Sequence, residues 1–396
     1  MNDSKLGVVV VIPIYKASLS NNEWISIYQA ERILCKYDIC FIAPESLART
    51  DIIKRHRTFF FDDRYFESTV TYSDLLLSYD FYKCFDIYDY MLICQTDAFV
   101  FSDQLLEWCN TGFDFIGAPA VGIDDFYAEI GGCIGNGGFS LRNIQSCIKV
   151  LKYKDDIIRN HPVGWKMREA EDLYFAYCGA NSDIDFEVPS IEEAVKFSVQ
   201  INLCNAFAMH DKQLPFGTHY WYSIEYSHWK PYIESYGYKT DPPMHEITSE
   251  DSARAYAVRT FISKYVDGFW HRDFADKLSE WLKTVLGNYS VIAIRGSGKV
   301  GKRVTGLFNI AGIKYLQVDK NADGVRTIVP NDDFYKNKYP IFVASTKYEE
   351  EIKKELENYD YTDDDYVTYK GLEAFICKEY PDITKRLMNK YLHIDS

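Results

Sequence analysis

The run VVVVIP at residues 8–13 constrains the fold of this chain more than any other segment. Branched apolar side chains occupy consecutive positions, so both faces of the strand that they form must be covered. A helical pattern over residues 24–36 follows, and a second apolar strand, 37–43, ends at Pro44. This β-α-β order is typical of α/β proteins, so we predict a parallel or mixed sheet flanked by helices.

The β-α-β order restarts near residue 289, after a helical pattern at 249–286. A chain of 396 residues is too long for one ordinary core, so at least two domains are expected. The boundaries that we predict are an α/β domain over residues 1–245, a helical connector over 246–288 and a smaller α/β domain over 289–396.

Composition excludes several classes of protein. The net charge of −14 argues against a nucleic-acid partner, because an acidic surface repels phosphate. The ten cysteines include no C-x-x-C pair, so we expect reduced thiols and no zinc knuckle. The longest apolar runs are too short to span a membrane, and we find no leader pattern. We expect a cytoplasmic protein, and peripheral membrane contact stays open.

Two segments carry polar groups that could bind a ligand. Asp97 follows the buried strand 89–94, and a carboxylate there faces the crevice of an open α/β sheet, although it could instead cap the next helix or turn. Residues 131–138 contain five glycines, which let a backbone approach a ligand, and Asn136 adds an amide. Arg142 would add a fixed cation there. The alternative is a tight loop with no ligand.

Two later segments complete the pattern. Glu171 and Asp172 stand near the start of a predicted helix, where a carboxylate can serve as a general base or can simply offset the helix dipole. His219 could complete a metal or phosphate site, and Trp221 could stack on a sugar. A lone histidine is more often structural.

These motifs occur in one order: Q-T-D at 95–97, F-D-F-I-G-A-P at 113–119, G-N-G-G-F-S-L-R at 135–142, E-D at 171–172 and P-F-G-T-H at 215–219. In that order they resemble a family of GT-A-type glycosyltransferase-like domains over residues 6–230. The resemblance implies a nucleotide-sugar-binding sheet in the domain 1–245. It also implies a divalent cation, Mn²⁺ or Mg²⁺, at a carboxylate motif in which Gln95 replaces the first aspartate.

The resemblance further implies roles for individual residues. Asp172, with Glu171 beside it, would be the catalytic base, and Asp97 with His219 would bind the metal. The donor would contact Pro13, Tyr15, Gln95, Asp97, Asn136, Gly137 and Gly138, and the acceptor would contact Trp221.

The smaller domain carries Gly296, Gly298 and Gly301 in a G-x-G-x-x-G pattern between a strand and a helix, with Asp319 ending the next strand. Such a loop can bind a pyrophosphate at the helix N-terminus, while the carboxylate accepts a hydrogen bond from a ribose hydroxyl. The unit resembles small Rossmann-like domains fused to bacterial sugar-modifying enzymes. A structural role is the alternative.

The function that we predict is transfer of a sugar from a nucleotide-sugar donor to a glycan or lipid-linked acceptor in bacterial surface polysaccharide or glycoconjugate synthesis. One alternative is a non-catalytic nucleotide-sugar-binding protein. Another is an NAD(P)-dependent oxidoreductase working through residues 289–396, a region whose one histidine is His393. The donor, the acceptor, the stereochemical course and a homo-oligomeric state stay open.

Overall fold

The computed structural model describes residues 6–121, 135–200, 203–223, 225–242, 250–266, 273–320 and 327–392. Residues 131–134 of the glycine-rich segment, residues 267–272 of the predicted connector and His393 lie outside the described residues. The chain divides into two compact units, Met1–Glu246 and Ile247–Ser396. None of the helices in the described ranges has the length and apolar character needed to cross a membrane.

The described part of the first unit contains nine strands in two sheets. They are β1 (Val8–Pro13), β2 (Asp38–Pro44), β3 (Arg57–Phe61), β4 (Tyr90–Cys94), β5 (Phe99–Val100), β6 (Phe115–Ile116), β7 (Phe139–Asn143), β8 (Ser198–Val199) and β9 (Gly217–Thr218). The larger sheet has the order β3-β2-β1-β4-β7-β6, and the smaller has the order β5-β9-β8. Strands β1 to β4 run parallel, whereas β7 is antiparallel to both β4 and β6.

The central strand shows why the sequence folds this way. Val9 and Val11 pack into one apolar core, and Val10 and Ile12 pack into another on the opposite face of the sheet. Successive side chains of a strand point to opposite faces, so an unbroken apolar run requires a layer on each side. The predicted α/β fold with a mixed sheet flanked by helices is therefore confirmed.

Helices cover both faces of this sheet. Ser20 begins the first helix with a capping box, in which its hydroxyl accepts from the Glu23 amide and the Glu23 carboxylate accepts from the Ser20 amide. The helices of the first unit are Asn21–Ile33, Thr69–Leu76, Tyr79–Lys83, Leu105–Cys109, Ile144–Leu151, Lys154–Asn160, Gly164–Glu169, Glu171–Ala180, Ile191–Phe197, Leu203–Met209 and Tyr226–Ser235.

The second unit is a smaller α/β layer structure. Its strands β10 (Ile292–Arg295), β11 (Tyr315–Val318), β12 (Ile341–Val343) and β13 (Tyr366–Thr368) form a parallel sheet in the order β11-β10-β12-β13. Its helices are Glu250–Val266, Phe274–Leu286, Lys299–Ile310, Asp332–Lys336, Glu349–Glu357, Tyr369–Glu379 and Pro381–Leu392. Phe261 and Phe274, from the first two of these helices, belong to the apolar core of this unit.

The topology of the first unit brings three segments to one edge of its sheet. Residues 14–16 follow β1 and residues 95–97 follow β4, and these neighbouring strands are parallel. Residues 135–138 precede β7, which runs antiparallel to β4, so they reach the same edge. Open α/β sheets bind ligands at this carboxyl edge.

Candidate functional site

A cavity of about 370 Å³ opens at the carboxyl edge of the larger sheet. Pro13 and Tyr15 line it after β1, and Gln95, Thr96 and Asp97 line it after β4. Residues 66–69 and Tyr72, which lie at the start of the helix Thr69–Leu76, and Tyr222 complete the lining. The volume lies near the lower end of the range for small-molecule sites in proteins.

Three polar side chains converge on one side of this cavity. The His219 Nε2 atom lies 3.1 Å from Asp97 Oδ1 and 3.2 Å from Gln95 Oε1. Asp97 Oδ1 and His219 Nδ1 are buried and make no hydrogen bond to any described residue. Leaving buried polar atoms without hydrogen bonds is costly, and His219 Nδ1 in particular has none, which makes this cluster a candidate ligand site.

The local chain paths explain why these three residues meet. Gln95 and Asp97 follow β4, while His219 follows β9, whose Thr218 pairs with Phe99 of β5. The small sheet therefore carries His219 to the residues that leave β4. Within the described ranges no group of three or more His, Cys, Asp or Glu side chains is arranged as a metal site, so this cluster combines two such ligands with an amide.

The two glycines before β7 are in direct contact with the site. The backbone N–H of Gln95 donates to the Gly138 carbonyl over 2.8 Å. A Cβ atom on Gly138 would lie 2.1 Å from His219 Nε2, and one on Gly137 would lie 2.0 Å from Glu171 Oε1. Asn136 has φ of 51°, and its Oδ1 accepts from the Gly138 amide over 3.0 Å. These glycines are required by close side-chain approach.

Gly138→Ala is therefore expected to displace His219. The new methyl group would occupy the position of the imidazole. If His219 binds the divalent cation that the sequence predicts, Mn²⁺ affinity falls by about tenfold or more in this variant, the usual effect of disturbing a metal ligand. Isothermal titration with MnCl₂ measures this. Gly371→Ala is the matched control, because the atoms nearest to its Cβ position lie 3.8 Å away, at ordinary contact distance. Equal Mn²⁺ affinity in both variants would contradict the role of His219.

Glu171 forms a buried ion pair rather than facing the cavity. Its Oε1 accepts from Arg142 Nη2 over 2.8 Å, and its Oε2 accepts from the Ser73 hydroxyl over 3.1 Å. Arg142 is completely buried between the rings of Phe115 and Phe175. Each charge is thus the ion-pair partner of the other. The expectation that Glu171 could act as a base is therefore corrected, and so is the expectation that Arg142 could offer a cation to a ligand.

Asp172 differs from its neighbour. Its Oδ2 accepts from the Gly137 amide over 3.2 Å, while its Oδ1 is buried with no hydrogen-bond partner among the described residues. Burial raises the pKa of the Asp172 carboxyl to about 6, and the negative charge of Glu171 acts in the same direction. A carboxyl group with this pKa is ionised at pH 7 yet readily accepts a proton.

The loop after β1 is fixed by Glu23. This carboxylate accepts from the Tyr15 hydroxyl over 3.0 Å and forms an ion pair with Lys16 at 2.9 Å. Burial opposes ionisation of Glu23, but hydrogen bonds from Ser20 and Lys16 lower its pKa overall. Tyr15 thus presents a half-exposed ring to the cavity from an anchored position. Neither Glu23 nor Lys16 was expected here from the sequence.

The position of Trp221 requires a correction. Its side chain is completely buried, and its indole N–H donates to Ser26 Oγ over 2.9 Å. No face of the indole is free for an acceptor sugar, so Trp221 is a core residue. The neighbouring Tyr220 is exposed and Tyr222 lines the cavity.

Tyr72 and residues 66–69 form a side of the cavity that the sequence did not reveal. The Tyr72 hydroxyl is buried and makes no hydrogen bond to a described residue. The helix that carries it begins at a Ser68 capping box closed by Thr71, which is a visible helix-start signal. That signal locates the helix but not its contact with the strand ends.

The glycine loop of the second unit has structural reasons for its sequence. A Cβ on Gly301 would lie 2.1 Å from the Gly296 carbonyl oxygen, and Gly296 has φ of 120°. Asp319 Oδ2 accepts from both the amide and the hydroxyl of Ser297, at 2.6 and 2.8 Å. The oxygen that would bind a ribose is thus engaged within the loop. Nucleotide binding by Gly296, Gly298, Gly301 and Asp319 stays a prediction.

Comparison with known proteins gives little functional information. A family described as "Protein of unknown function (DUF5672)" matches residues 55–219. No curated protein matches the chain. Among solved structures, the apo form of mouse xyloside xylosyltransferase 1 is similar at 12% identity, over 54% of this chain and 97% of that one, with a TM-score of 0.34. Similarity at this level carries no argument about activity.

Proposed function

We propose that the first unit is a glycosyltransferase that takes a nucleotide-sugar donor together with a divalent cation. One observation carries the proposal. Asp97 Oδ1 and Gln95 Oε1 lie 3.1 and 3.2 Å from His219 Nε2, beside a cavity at the carboxyl edge of an α/β sheet. That edge is where sheets of this kind bind nucleotides.

The spacing of these atoms fits a shared cation. Ligand atoms held about 2.1 Å from an octahedral Mg²⁺ stand about 3 Å apart, close to the separations found here. Asp97, Gln95 and His219 would hold Mn²⁺ or Mg²⁺ through one side, leaving coordination sites for water and phosphate. When bound, such a cation neutralises the charge that develops on a leaving diphosphate.

The charge of the cavity supports the same reading. The described residues that line it include the carboxylates Glu67 and Asp97 and no lysine or arginine. Lys16 lies beside the cavity residue Tyr15 but is paired with Glu23. A diphosphate entering this cavity would meet negative charge, so binding of the donor requires a cation that the ligand or solvent brings.

Asp172 supplies the base in this proposal. Direct displacement at an anomeric carbon requires a group that takes the proton of the acceptor hydroxyl, and Asp172 Oδ1 has no described partner. Gly137 and Gly138 join the two halves of the site, because Gly137 bonds Asp172 and Gly138 contacts His219. The reaction would then invert the anomeric centre. The acceptor would be a glycan or lipid-linked glycan of a bacterial surface polysaccharide or glycoconjugate.

A non-catalytic nucleotide-sugar-binding protein is the second candidate. Gln95 supports it, because an amide replaces one of the two carboxylates of the usual metal motif. Such a protein would bind the donor with the cation but would neither transfer nor hydrolyse the sugar. Release of nucleoside diphosphate in the presence of acceptor glycans distinguishes the two candidates.

A thermal-shift screen tests the donor site. We expect one class among UDP-, GDP-, CMP- and dTDP-sugars to raise the Tm with MnCl₂ and not with EDTA. A ligand at one hundred times its Kd stabilises the folded state by about 2.7 kcal/mol. NAD(H) serves as the comparison ligand for the second unit. A shift by NAD(H) alone, or by a nucleotide sugar in EDTA, would contradict the proposal.

A further inference from the structure

Arg142 and Glu171 are buried charges for which the proposed chemistry has no direct use. Arg142 Nε donates to the Ser140 hydroxyl over 3.0 Å, and its Nη1 donates to the Tyr82 hydroxyl over 2.9 Å. Its Nη2 donates to Glu171 Oε1 over 2.8 Å and to the Gly137 carbonyl over 3.4 Å. Four of the five N–H groups of the guanidinium thus donate inside the protein, and the side chain is completely buried, so it cannot reach a ligand.

A buried ion pair carries a large desolvation penalty. Removing two charges from water costs several kcal/mol per ion, and apolar replacements of similar volume are often at least as stable. Burial alone thus gives no reason to place an arginine between Phe115 and Phe175. What an ion pair provides and an apolar pair does not is fixed hydrogen-bond geometry.

The contacts of the pair show what it fixes. Arg142 binds the carbonyl of Gly137, while the amide of Gly137 binds Asp172. Glu171 is the residue before Asp172, and its Oε1 lies so close to Gly137 that the position has no room for a Cβ. Ser73 holds the other oxygen of Glu171. One ion pair therefore locates both the Gly137 peptide and the first turn that carries Asp172.

We propose that Arg142 and Glu171 are positioning residues, whose buried ion pair holds the Gly137 peptide and the Asp172 carboxylate in the geometry required for transfer. The proposal rests on the proposed function, because it assigns Asp172 the part of base. Under this proposal Glu171 holds Asp172 in position and does not contact the acceptor.

The two members of the pair act on Asp172 with opposite sign. The negative charge of Glu171 raises the pKa of the Asp172 carboxyl, whereas the positive charge of Arg142 lowers it. Glu171→Gln keeps an oxygen acceptor for Arg142 and removes the negative charge. Arg142→Met removes the positive charge and leaves two neighbouring carboxylates. A close charge moves a carboxyl pKa by about one unit or more.

The experiment measures this titration directly in the ligand-free protein. Chains labelled with ¹³C at the aspartate carboxyl carbon are titrated by NMR, and the Asp172 signal is assigned by its loss in Asp172→Asn. We expect the Asp172 pKa to fall by about one unit in Glu171→Gln and to rise by about as much in Arg142→Met. Asp155→Asn, whose side chain is 81% exposed, is the control and leaves the Asp172 signal unchanged.

Steady-state kinetics with the donor found in the screen gives the second readout. Arg142→Lys keeps the charge but cannot bridge Gly137, Glu171, Ser140 and Tyr82 together, so we expect kcat to fall about tenfold with the donor KM within twofold. A shift of the Asp172 pKa in the same direction in Glu171→Gln and Arg142→Met, no shift in either, or an unchanged kcat in Arg142→Lys would overturn the proposal. If wild type transfers no sugar, the proposed function fails, while the NMR titration still decides whether the pair governs Asp172.

Discussion

Asp97→Asn is expected to reduce sugar transfer by about 10³-fold or more, the effect of removing a group that stabilises developing charge in a transition state. Asparagine preserves the shape of the side chain and removes its negative charge. Asp97 Oδ1 makes no hydrogen bond to a described residue, and its contact at 3.1 Å is with His219 Nε2, the other atom that we propose to bind the cation. Without that charge, a neutral amide pair and a histidine face the diphosphate.

The loss should appear first in metal binding. We expect the Kd for Mn²⁺ to rise at least tenfold in calorimetry, and the thermal shift given by the donor with MnCl₂ to disappear. Asp51→Asn is the matched control, because its side chain is 95% exposed and its ion pair, among the residues described, is with Lys54. Folding is checked by the Tm in EDTA, which should stay near that of wild type.

Unchanged Mn²⁺ affinity in Asp97→Asn would mean that this carboxylate holds no metal. The cluster would then be a hydrogen-bonded group in which His219 donates to Gln95 Oε1. Full transfer activity in a variant that no longer binds Mn²⁺ would be a different result. It would show that Asp97 binds the metal but that transfer does not require it. The two measurements therefore separate binding from catalysis.

Local pattern predicted the central layers of both units. The run at residues 8–13 became β1, and its alternating side chains reached two separate cores, as consecutive branched residues require. The predicted helix over 24–36 was found as Asn21–Ile33, because the Ser20 capping box begins it earlier than its apolar pattern does. Capping fixes a boundary that periodicity alone leaves uncertain.

The edge of the sheet was harder to predict. β3 at Arg57–Phe61 was missed, because its residues are an arginine, a threonine and three consecutive phenylalanines, which do not alternate between polar and apolar. The helix Thr69–Leu76 was missed with it. Together they place residues 66–69 and Tyr72 at the cavity, so the part of the site that depends on them was not visible in the sequence.

Burial explains which candidate residues lost their expected contacts. The sequence cannot show that Trp221 has no exposed surface or that Arg142 lies between two phenylalanine rings. Both are polar-tipped side chains that either bind ligands or fill cores, and only tertiary packing decides between these roles. At Gly138 the sequence did indicate a close approach. The structure shows that His219 occupies the space that a side chain at this position would need.

Asp172→Asn is the second variant with a large expected effect. Removing a positioned general base costs about 10²- to 10⁴-fold in rate. The Gly137 amide can still bond the remaining oxygen of the asparagine side chain, so the loop should keep its place. We expect kcat to carry the loss and the donor KM to stay within a few-fold, because Asp97, Gln95 and His219 are untouched.

Stability should move in the opposite direction. Burial raises the pKa of Asp172 from 3.8 to about 6, so the folded protein favours the neutral carboxyl. The unfolded carboxyl ionises near pH 4 and the folded one only near pH 6, so wild type loses stability as the pH rises between these values, and asparagine removes that loss. We expect Asp172→Asn to be more stable than wild type at pH 8 by up to about 3 kcal/mol, with the difference shrinking as the pH falls from about 6 to about 4, where the carboxyl becomes neutral in both states.

Urea unfolding of both proteins at pH 4 and pH 8 measures this difference, and the pH dependence of kcat measures the base. In wild type, kcat should rise with pH through about 6, the pKa of Asp172, and the residual activity of Asp172→Asn should lack that limb. A variant that is both inactive and less stable at pH 8 would show that Asp172 holds the fold. If Asp172→Asn is active and its kcat still rises with pH through about 6, the base is another side chain.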